Sequence, residues 1–380
     1  MMKILENPID CVGCASCAAV CPKACISMKP FEGGFLAPVI DVDTCISCEK
    51  CRGVCPVLAV KEKKSPKKCY ALVENQEDSR VKSASGGASH VLAKQVVFEG
   101  GAFCGCRLDE NLKASHDVTR AVEDLDLYRD SKYVQSDMSS TWPKIEEALA
   151  SGAKLLVSGT PCQIAAVKAR FGDRENLITC DFICSGVPDP SIFELYKKEL
   201  ERKQGTKIKE FYFRDKTNGW KKSNIRVVYE DGSEQIIERK DSVYFHLFGN
   251  NIFFRECCYN CSFKKFNTSA DLTVGDYWGI DKLFPEIDDD KGVSLLIVNT
   301  EKGEALLSAI QGECTVLETS LEFAVKTHPK IEKSIPRSKY RDMFYRRYRG
   351  DETSLQKAIK RCMGRSPLNK IFRKIYTVFK

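Results

Sequence analysis

The sequence is poor in the residues and segments that mark several common classes of protein. It has only 4 histidines and 3 tryptophans among 380 residues, and His90, His116, His246 and His328 show no spacing typical of a zinc site. No stretch approaches the roughly 20 apolar residues that are needed to span a membrane. The first residues contain no apolar segment of the kind found in a signal peptide. We therefore expect a cytoplasmic protein.

Cysteine, by contrast, is abundant, with 20 residues in the chain. In a reducing compartment, clustered cysteines bind metal more often than they form disulfides. The net charge of +7 is unevenly distributed, because residues 326–380 hold 17 Lys and Arg against 4 Asp and Glu. The rest of the chain is therefore mildly acidic. This argues against a general nucleic-acid-binding surface, and we expect no specific nucleic-acid partner.

Eight of the cysteines form an internal repeat near the N-terminus. In each set of four, a C-x-x-C-x-x-C run precedes a last cysteine that is followed by proline, Pro22 or Pro56. The two sets, which lie 34 residues apart, are Cys11, Cys14, Cys17 and Cys21, and then Cys45, Cys48, Cys51 and Cys55.

This repeat is typical of bacterial ferredoxins with two 4Fe–4S clusters. Three thiolates of one run bind one cluster, and the cysteine before proline ligates the other cluster. Zinc and disulfides are the alternatives, but zinc sites use two C-x-x-C pairs rather than two runs of four. Cys25 falls outside the pattern and is interpreted as a small packed thiol. The predicted ligand sets are Cys11, Cys14, Cys17 and Cys55 for one cluster, and Cys45, Cys48, Cys51 and Cys21 for the other.

After a charged linker at residues 61–68, the alternation of apolar and polar residues predicts a mixed α/β body. The helix that begins at Pro161 has proline in its first turn, where a missing N–H group is tolerated. The predicted elements are a strand at 155–159, a helix at 161–171, a strand at 176–184, a hairpin within 226–238, and a strand followed by a helix within 294–310.

Six short motifs follow one another in the body. They are SASGG at 83–87, SKYVQSD at 131–137, GTPCQ at 159–163, FRDKTNGW at 213–220, RECCYNC at 255–261 and GDYWGI at 275–280. Together with the N-terminal cysteines, this ordered set resembles the beta-subunit family of coenzyme F-420 hydrogenases and dehydrogenases, in its form with a fused ferredoxin domain. The resemblance runs from Cys11 to about residue 300. It implies an FAD-containing iron–sulfur oxidoreductase.

The resemblance also implies a third 4Fe–4S cluster near the flavin. Spacing alone is less specific, because only Cys258-x-x-Cys261 is suggestive, and zinc or inert thiols are alternatives. Ser185 departs from the family pattern, which has histidine there, and Cys257 is an extra cysteine. We expect Cys258 to face the cluster and Cys257 to point away. The implied ligands are Cys162, Cys184, Cys258 and Cys261.

The same resemblance suggests where the FAD binds. Backbone N–H groups of a glycine-containing turn can approach a diphosphate closely, so we expect the diphosphate near residues 85–87. The flavin ring is expected near Lys132 and Gln135, whereas Tyr277 and Trp278 are interpreted equally well as core residues or as aromatic neighbours of the cofactor. The full set of predicted cofactor-binding residues is Ser85, Gly86, Gly87, Ser131, Lys132, Tyr133, Gln135, Gly159, Thr160, Gln163 and Asp276. The sequence identifies no catalytic residue.

The resulting hypothesis is a mixed α/β (α+β) protein in four parts. These are a bacterial-type two-cluster ferredoxin domain at 1–62, a flavin-binding body in two parts at 63–150 and 151–325, and a basic, aromatic tail at 326–380. Electrons would pass between the clusters and FAD, and on to a redox partner protein, a small-molecule substrate or a deazaflavin-type coenzyme.

Two questions stay open. The alternative function is a non-catalytic electron-transfer subunit that passes electrons to a partner enzyme, and bound flavin would distinguish the two. A predicted helix at the C-terminus is interpreted as docking on the body, with a membrane surface or an acidic partner as the alternative. Its apolar face comprises Leu368, Ile371, Phe372, Ile375 and Phe379.

Overall fold

The structure, a computed structural model, describes residues 3–59, 66–266 and 268–363. In these ranges the strands are β1 (Ile26–Glu32), β2 (Phe35–Ile40), β3 (Lys68–Glu74), β4 (Ala102–Leu108), β5 (Ala114–Thr119), β6 (Leu155–Gly159), β7 (Leu177–Phe182), β8 (Ile208–Asp215), β9 (Asn224–Tyr229), β10 (Glu234–Ile237), β11 (Leu272–Asp276), β12 (Ser294–Val298) and β13 (Cys314–Thr319).

The α-helices of the same ranges are α1 (Ser16–Ala19), α2 (Lys50–Gly53), α3 (Glu77–Arg80), α4 (Ala88–Phe98), α5 (Thr141–Ala150), α6 (Pro161–Phe171), α7 (Pro190–Gln204), α8 (Val243–Gly249), α9 (Glu301–Ala309), α10 (Leu321–Thr327), α11 (Arg341–Tyr345) and α12 (Glu352–Met363). Short 3-10 helices lie between them, of which Glu256–Asn260 matters below. In the described residues, no helix is both long and apolar enough to cross a membrane.

The strands form three sheets, and the largest of them organises the body. It has eight strands in the order β13-β3-β12-β11-β7-β6-β4-β5. The four central strands, β11, β7, β6 and β4, are mutually parallel, and the outer strands add in antiparallel fashion. The carboxyl ends of parallel strands meet at one edge of a sheet, where α/β folds collect their ligands. The mixed α/β fold class is therefore confirmed.

Several predicted elements agree closely with the structure. The predicted helix at 161–171 is α6, and its start has a clear local cause. Thr160 is the N-cap residue, and its side chain forms a capping box with Gln163. Pro161 occupies the first turn, where its fixed φ suits a helix. The hairpin predicted within 226–238 is the antiparallel pair β9 and β10.

The ferredoxin domain, residues 3–59, consists of the antiparallel pair β1 and β2 with the short helices α1 and α2. It is attached to the body by buried polar contacts. Trp142 of α5, which is fully buried, donates from Nε1 to the carbonyl of Cys14 at 3.0 Å. Asp189, also buried, accepts from the backbone N–H of Gly34 at 2.9 Å. These contacts hold the first cysteine loop and the turn between β1 and β2 against the body.

Part of the stretch interpreted as a basic tail lies inside the core of the body. Phe344 and Tyr348 pack in the largest hydrophobic cluster, together with aromatic residues of β8 and α8. Arg341 is 2% exposed and forms a salt bridge with Glu32 of the ferredoxin domain. The predicted terminal helix, with its apolar face at 368–379, and residues 61–65 of the predicted linker lie outside the described residues.

Candidate metal centres and central cavity

The eight cysteines of the repeat surround two separate small cavities in the ferredoxin domain. One cavity is lined by Cys11, Cys14, Cys17 and Cys55, here called the first thiol set. The other is lined by Cys21, Cys45, Cys48 and Cys51, the second thiol set. Each cysteine that precedes a proline therefore lies with the opposite run, as the ferredoxin pattern predicts.

The turns that carry the thiols repeat along with the cysteines. Ala15 and Glu49, which precede α1 and α2, both have left-handed backbone conformations, with φ of 58° in each case. Such conformations are uncommon outside glycine and cluster at ligand sites. Burial raises the pKa of the Cys14 thiol to about 12, so only a strong cationic ligand would keep this thiol ionised.

Cys25 is buried as predicted, but it is not remote from the site. Its Sγ atom lies 3.4 Å from that of Cys21, and it lines the same cavity as the second thiol set. The sequence pattern did not assign it, because it follows Cys21 by four residues and belongs to no C-x-x-C run. The second thiol set therefore has a fifth thiol within hydrogen-bonding distance.

The body cysteines that the resemblance implied as ligands also come together, although they are far apart in the sequence. Burial raises the pKa of the Cys162 thiol well above its ordinary value, and the other three thiols are close enough to raise it further. For Cys184, burial and then the Cys258 thiol raise the pKa to about 12. We call these residues the third thiol set: Cys162, Cys184, Cys258 and Cys261.

Three segments supply the third thiol set. Cys162 lies in the first turn of α6, where the positive end of the helix dipole favours a thiolate. Cys184 follows the end of β7, and the pair Cys258 and Cys261 lies in and after the 3-10 helix Glu256–Asn260. The geometry fits a set of thiolates on separate elements that all face one site.

Cys257 faces the ferredoxin domain. Its Sγ donates to the carbonyl of Cys11 at 3.5 Å, whereas Cys258 interacts with Cys184. The thiol of Cys257 nevertheless contacts that of Cys258, and this contact, followed by burial, raises the pKa of Cys258. Within the described residues, no three His, Cys, Asp or Glu side chains meet closely enough to bind a single metal ion.

A cavity of about 1030 Å³ lies at the carboxyl edge of the parallel strands. It is lined by the last residues of β6, β7 and β11 and by the segments after α3 and before α5. Cys184 belongs both to the third thiol set and to the wall of this central cavity. A redox centre held by the third set would therefore adjoin any molecule in the cavity.

Most of the predicted cofactor-binding residues line the central cavity, and three do not. Those in the wall are Ser85, Gly87, Ser131, Lys132, Tyr133, Thr160, Gln163 and Asp276. Gly159 lies beneath Gln163. Gln135 turns away and contacts Val12 and Arg255 at the ferredoxin domain. Gly86 packs against the sheet, since an added Cβ would lie 2.4 Å from the carbonyl oxygen of Leu72.

Five lining residues carry buried polar atoms that find no partner among the described residues. They are His116 Nδ1, Asp130 Oδ1, Arg214 Nε, Asn224 Nδ2, and Nε and Nη2 of Arg239. Buried polar atoms are nearly always hydrogen-bonded, so such a group in one wall indicates that a polar ligand completes it. The volume and these atoms together fit a large polar cofactor.

The wall of the central cavity is strongly basic. Three acidic residues, Asp130, Glu238 and Asp276, face a larger number of cations. The cationic residues are Arg129, Lys132, Arg214, Lys221, Lys222, Arg239, Lys240 and Lys330. The ammonium of Lys132 donates to the carbonyl of Asp130 at 3.3 Å, and burial lowers its pKa. The surplus of positive charge favours an anionic ligand.

Asp276 lies in the wall between an arginine and two tryptophans. Arg214 contacts both of its carboxylate oxygens, at 2.8 and 2.7 Å, and Trp220 donates to it at 3.2 Å. Trp220 stacks on Trp278 with ring centroids 4.3 Å apart, and only Trp278 lines the cavity. Tyr277 is buried in the core. Tyr277 therefore packs in the core, whereas Trp278 lies in the wall of the central cavity.

Sequence reasoning missed several residues that the structure places at these sites. Arg255 lies in the RECCYNC motif and Lys216 in the FRDKTNGW motif, but the motifs alone indicate no role for either residue. Lys216 donates to the carbonyl of Ser85 at 2.7 Å, and burial lowers its pKa to about 7. His116 was interpreted only as one of four scattered histidines. Its Nε2 bonds to the carbonyl of Ser158, and burial lowers its pKa to about 4. Their burial, which identifies them, cannot be read from a motif.

Two parts of the chain match known protein families. Residues 10–59 match the 4Fe–4S dicluster domain, and residues 152–322 match the family described as the C terminus of the beta subunit of coenzyme F420 hydrogenase/dehydrogenase. The comparison with curated proteins gave no match. Among solved structures, one chain of the xenon-derivatized F420-reducing NiFe hydrogenase complex from Methanosarcina barkeri is similar at 18% identity and a TM-score of 0.49, covering 72% of this chain and 92% of that one.

The two matched families occur in the order that the ferredoxin repeat and the body motifs predicted. The dicluster match contains both runs of cysteines, and the beta-subunit match contains all four residues of the third thiol set. The chain thus carries a 4Fe–4S dicluster domain, an iron–sulfur electron-transfer module, at residues 10–59, and its residues 152–322 match the C-terminal family of the coenzyme F420 hydrogenase/dehydrogenase beta subunit.

Proposed function

We propose that this protein is an FAD-dependent oxidoreductase in which electrons pass along three 4Fe–4S clusters to a flavin in the central cavity and on to an anionic acceptor. The observation that carries the proposal is the position of Cys184, which belongs to the third thiol set and also lines the cavity. Electrons that reach this set would be next to a cofactor in the cavity. Direction of flow depends on the partner at each end.

The exposure of the thiols supports an order for the three centres. Cys48 of the second thiol set is exposed, so this set lies where an external redox partner could approach. Cys11 and Cys14 of the first set are buried, and their carbonyls accept hydrogen bonds from the body. The first set therefore lies between the surface and the third set, and the line ends at the cavity.

The thiol sets fit four-iron clusters better than zinc. A zinc ion draws its four ligands to about 2.3 Å from one point, whereas the first and second sets surround cavities. A four-iron cluster takes four cysteine thiolates, one bound to each iron. The proposed ligands are the first, second and third thiol sets, which gives about twelve irons for the chain.

The central cavity fits FAD by size and by its unpaired polar atoms. Lys216 holds the backbone of Ser85 in place, so that this turn and Gly87 at the N-terminus of α4 can face a diphosphate. Arg214 donates to Asp276, and its guanidinium lies over the ring of Trp278, which lines the cavity. A bound flavin would supply the step that clusters lack, because it takes electrons singly and releases them in pairs.

The surplus of cations indicates the class of acceptor. Lys221, Lys222 and Lys240 lie in the segments on either side of the β9–β10 hairpin. Lys221 forms a salt bridge with Asp288 and Lys240 with Glu238, whereas no acidic partner of Lys222 is found among the described residues. Positive charge there would attract and orient a substrate that carries phosphate or carboxylate groups. The proposed acceptor is therefore a small anionic molecule that takes an electron pair, for which a deazaflavin-type coenzyme is one candidate.

The alternative is a non-catalytic subunit that hands electrons to a partner enzyme. In that case the chain would carry clusters without flavin, and its cavity would contact the partner. The unpaired buried atoms of Asn224 and Arg239 favour a resident ligand over an open docking surface. The alternative therefore predicts iron and sulfide in the isolated protein with no flavin absorbance.

The deciding experiment is the iron, sulfide and flavin content of protein purified without oxygen. We expect about twelve irons and one flavin per chain. About eight irons with no flavin would instead support the carrier. Lys222→Gln then tests the acceptor, because it should raise KM for an anionic acceptor and leave iron and flavin content unchanged. An unchanged KM for every anionic acceptor that is reduced would contradict the assignment of substrate class.

A further inference from the structure

Arg255 connects the first thiol set to both halves of the third. It is 4% exposed, and its guanidinium donates from Nε to the carbonyl of Cys11 at 2.6 Å. A second donor, Nη2, reaches the carbonyl of Leu36 in the ferredoxin domain at 2.7 Å. One side chain of the body thus fixes the loop that begins the first thiol set.

The backbone of the same residue positions the third thiol set. The N–H group of Arg255 donates to the carbonyl of Val187, three residues after Cys184. Its carbonyl accepts from the N–H group of Cys258 at 3.0 Å. The two segments that carry these cysteines are therefore joined through Arg255, which lies between the first and the third set.

The loop of the first set is shaped around the guanidinium. Gly13 has a φ of +74°, and an added Cβ would lie 2.6 Å from Nη1 of Arg255 and 2.6 Å from Nε2 of Gln135. Gln135 accepts from Nη1 at 3.1 Å and donates to the carbonyl of Val12 at 3.2 Å. Only glycine at position 13 leaves room for the hydrogen bond between Arg255 and Gln135. Gln135 thus joins the guanidinium of Arg255 to the carbonyl of Val12 in the ferredoxin domain.

The charge of Arg255 has no carboxylate partner among the described residues. Its side chain donates to the neutral acceptors of Cys11, Leu36 and Gln135 and lies over the ring of Phe35, 5.4 Å from the centroid, so none of these partners carries a negative charge. Burying an unpaired cation is costly, so a buried arginine normally faces an anion. The side chain of Arg255 bonds to the backbone of Cys11 in the first set, and its backbone bonds to that of Cys258 in the third. Iron–sulfur clusters ligated by four thiolates are anionic and would provide the missing negative charge.

We propose that Arg255 is a positioning residue for electron transfer between the first and the third cluster, because it fixes the distance between them and places a positive charge between them. The inference rests on the proposed function, in that it requires a cluster at each set. One electron moves at a time from the reduced to the oxidised cluster, and no bond forms or breaks. The positive charge stabilises the reduced state of both clusters, since each gains negative charge on reduction.

The test compares Arg255→Gln with Arg255→Lys and Arg341→Gln in the full-length protein. Arg341 is the matched control, because it is also buried and connects the body to the ferredoxin domain, but its charge is paired with Glu32 and Glu256. Midpoint potentials are measured by redox titration with EPR, and electron arrival in the cavity by stopped-flow absorbance of the flavin.

We expect Arg255→Gln to lower the midpoint potentials of the first and third clusters and to slow flavin reduction by about 10–100-fold, as loss of a residue behind a metal ligand often does. Arg255→Lys should restore the potentials, since it keeps the charge, but not the full rate, since it lacks the planar fork. Arg341→Gln should leave the potentials unchanged.

The outcomes separate this inference from the proposed function. Wild-type protein with only about eight irons would overturn both. Twelve irons in the wild type, with unchanged potentials in Arg255→Gln, would overturn the role of Arg255 alone. An equal shift in Arg341→Gln would also overturn it, because docking rather than charge would then set the potentials. If Arg255→Gln loses iron, Arg255→Lys decides, and lowered potentials in that variant would contradict the proposal.

Discussion

The ferredoxin domain and the body assemble their cysteines in different ways. In the ferredoxin domain, two runs at a 34-residue spacing provide both thiol sets, and left-handed turns at Ala15 and Glu49 recur with them. In the body, the third thiol set comes from the start of α6, the end of β7 and a 3-10 helix about 70 residues further on. A local motif specifies the first arrangement, whereas sheet topology specifies the second.

This contrast has a physical basis. A cysteine run can shape its own loop, because its turns need only a few neighbouring residues. The third thiol set requires that β7 lie beside β6 and that the 254–261 segment pack against the segment after β7. Its formation therefore depends on the folding of the whole body. The predictions below test whether the two regions respond independently.

The largest expected effect is the loss of one complete cluster from the body. Cys162→Ala removes a thiol at the first turn of α6, and the protein should lose about four of the roughly twelve irons proposed, while the ferredoxin domain keeps about eight. Iron analysis and EPR of the reduced protein measure this. The matched control is Cys180→Ala, since Cys180 is 1% exposed on β7 but lies outside the three thiol sets. Full iron content in Cys162→Ala would show that the third set binds no cluster.

The second prediction concerns the crossing of ligands within the ferredoxin domain. Cys55→Ala should remove the cluster of the first thiol set, although Cys55 follows the second run in the sequence. Cys21→Ala should affect the second set instead. EPR of the two variants should therefore show complementary losses. If both variants lose the same signal, the assignment is wrong.

Cys25 makes the second prediction asymmetric. Its Sγ lies 3.4 Å from that of Cys21, so it is positioned to replace this ligand in Cys21→Ala. Loss of the second cluster should then be complete only in the double variant Cys21→Ala/Cys25→Ala. Cys55 has no such neighbour in the lining of its cavity, where the only other cysteines are Cys11, Cys14 and Cys17. Equal cluster loss in Cys21→Ala and the double variant would contradict a reserve role for Cys25.

These examples also show how far the sequence could be interpreted. The ferredoxin sets, the helix α6 and the β9–β10 hairpin follow from spacing and turn chemistry, which act over a few residues. The convergence of the third set was expected only through the family resemblance. The positions of Gln135 and Gly86 could not be predicted, because a motif gives residue types but not which of its residues face the cavity. Arg255 and His116 are identified by burial, which arises from tertiary packing.

The third prediction compares a glycine of each region. In Gly86→Ala, the new Cβ would lie 2.4 Å from the carbonyl oxygen of Leu72 and 2.5 Å from the amide of Ser294. Overpacking against backbone should cost about 1–3 kcal/mol of stability or more. Gly53→Ala is the control in the ferredoxin domain, where no atom lies within 4 Å of the added Cβ. Thermal unfolding followed by circular dichroism should show a lower midpoint for Gly86→Ala alone.

The fourth prediction concerns pH and has the smallest expected effect. Burial lowers the pKa of His116 to about 4, below the value near 6.5 that an unfolded chain would have. As the pH falls below 6.5, the unfolded state takes up a proton that the folded state does not, so stability decreases. Between pH 7.5 and 5.5 this difference in proton uptake should lower the free energy of unfolding by about 1 kcal/mol. His116→Gln, which keeps a donor for the carbonyl of Ser158, should remove it.

Asp181 provides a comparison of opposite sign within the same sheet. Burial raises its pKa to about 6, so between the unfolded value near 3.8 and pH 6 the folded state holds the extra proton. Stability contributed by this group therefore increases as the pH falls from 7.5 to 5.5, by about 1 kcal/mol. Relative to wild type, Asp181→Asn should lose stability on acidification, whereas His116→Gln should gain it. Thermal midpoints of the three proteins at both pH values measure the difference. Equal slopes for the two variants would mean that these side chains are not buried in the body as the sheet places them.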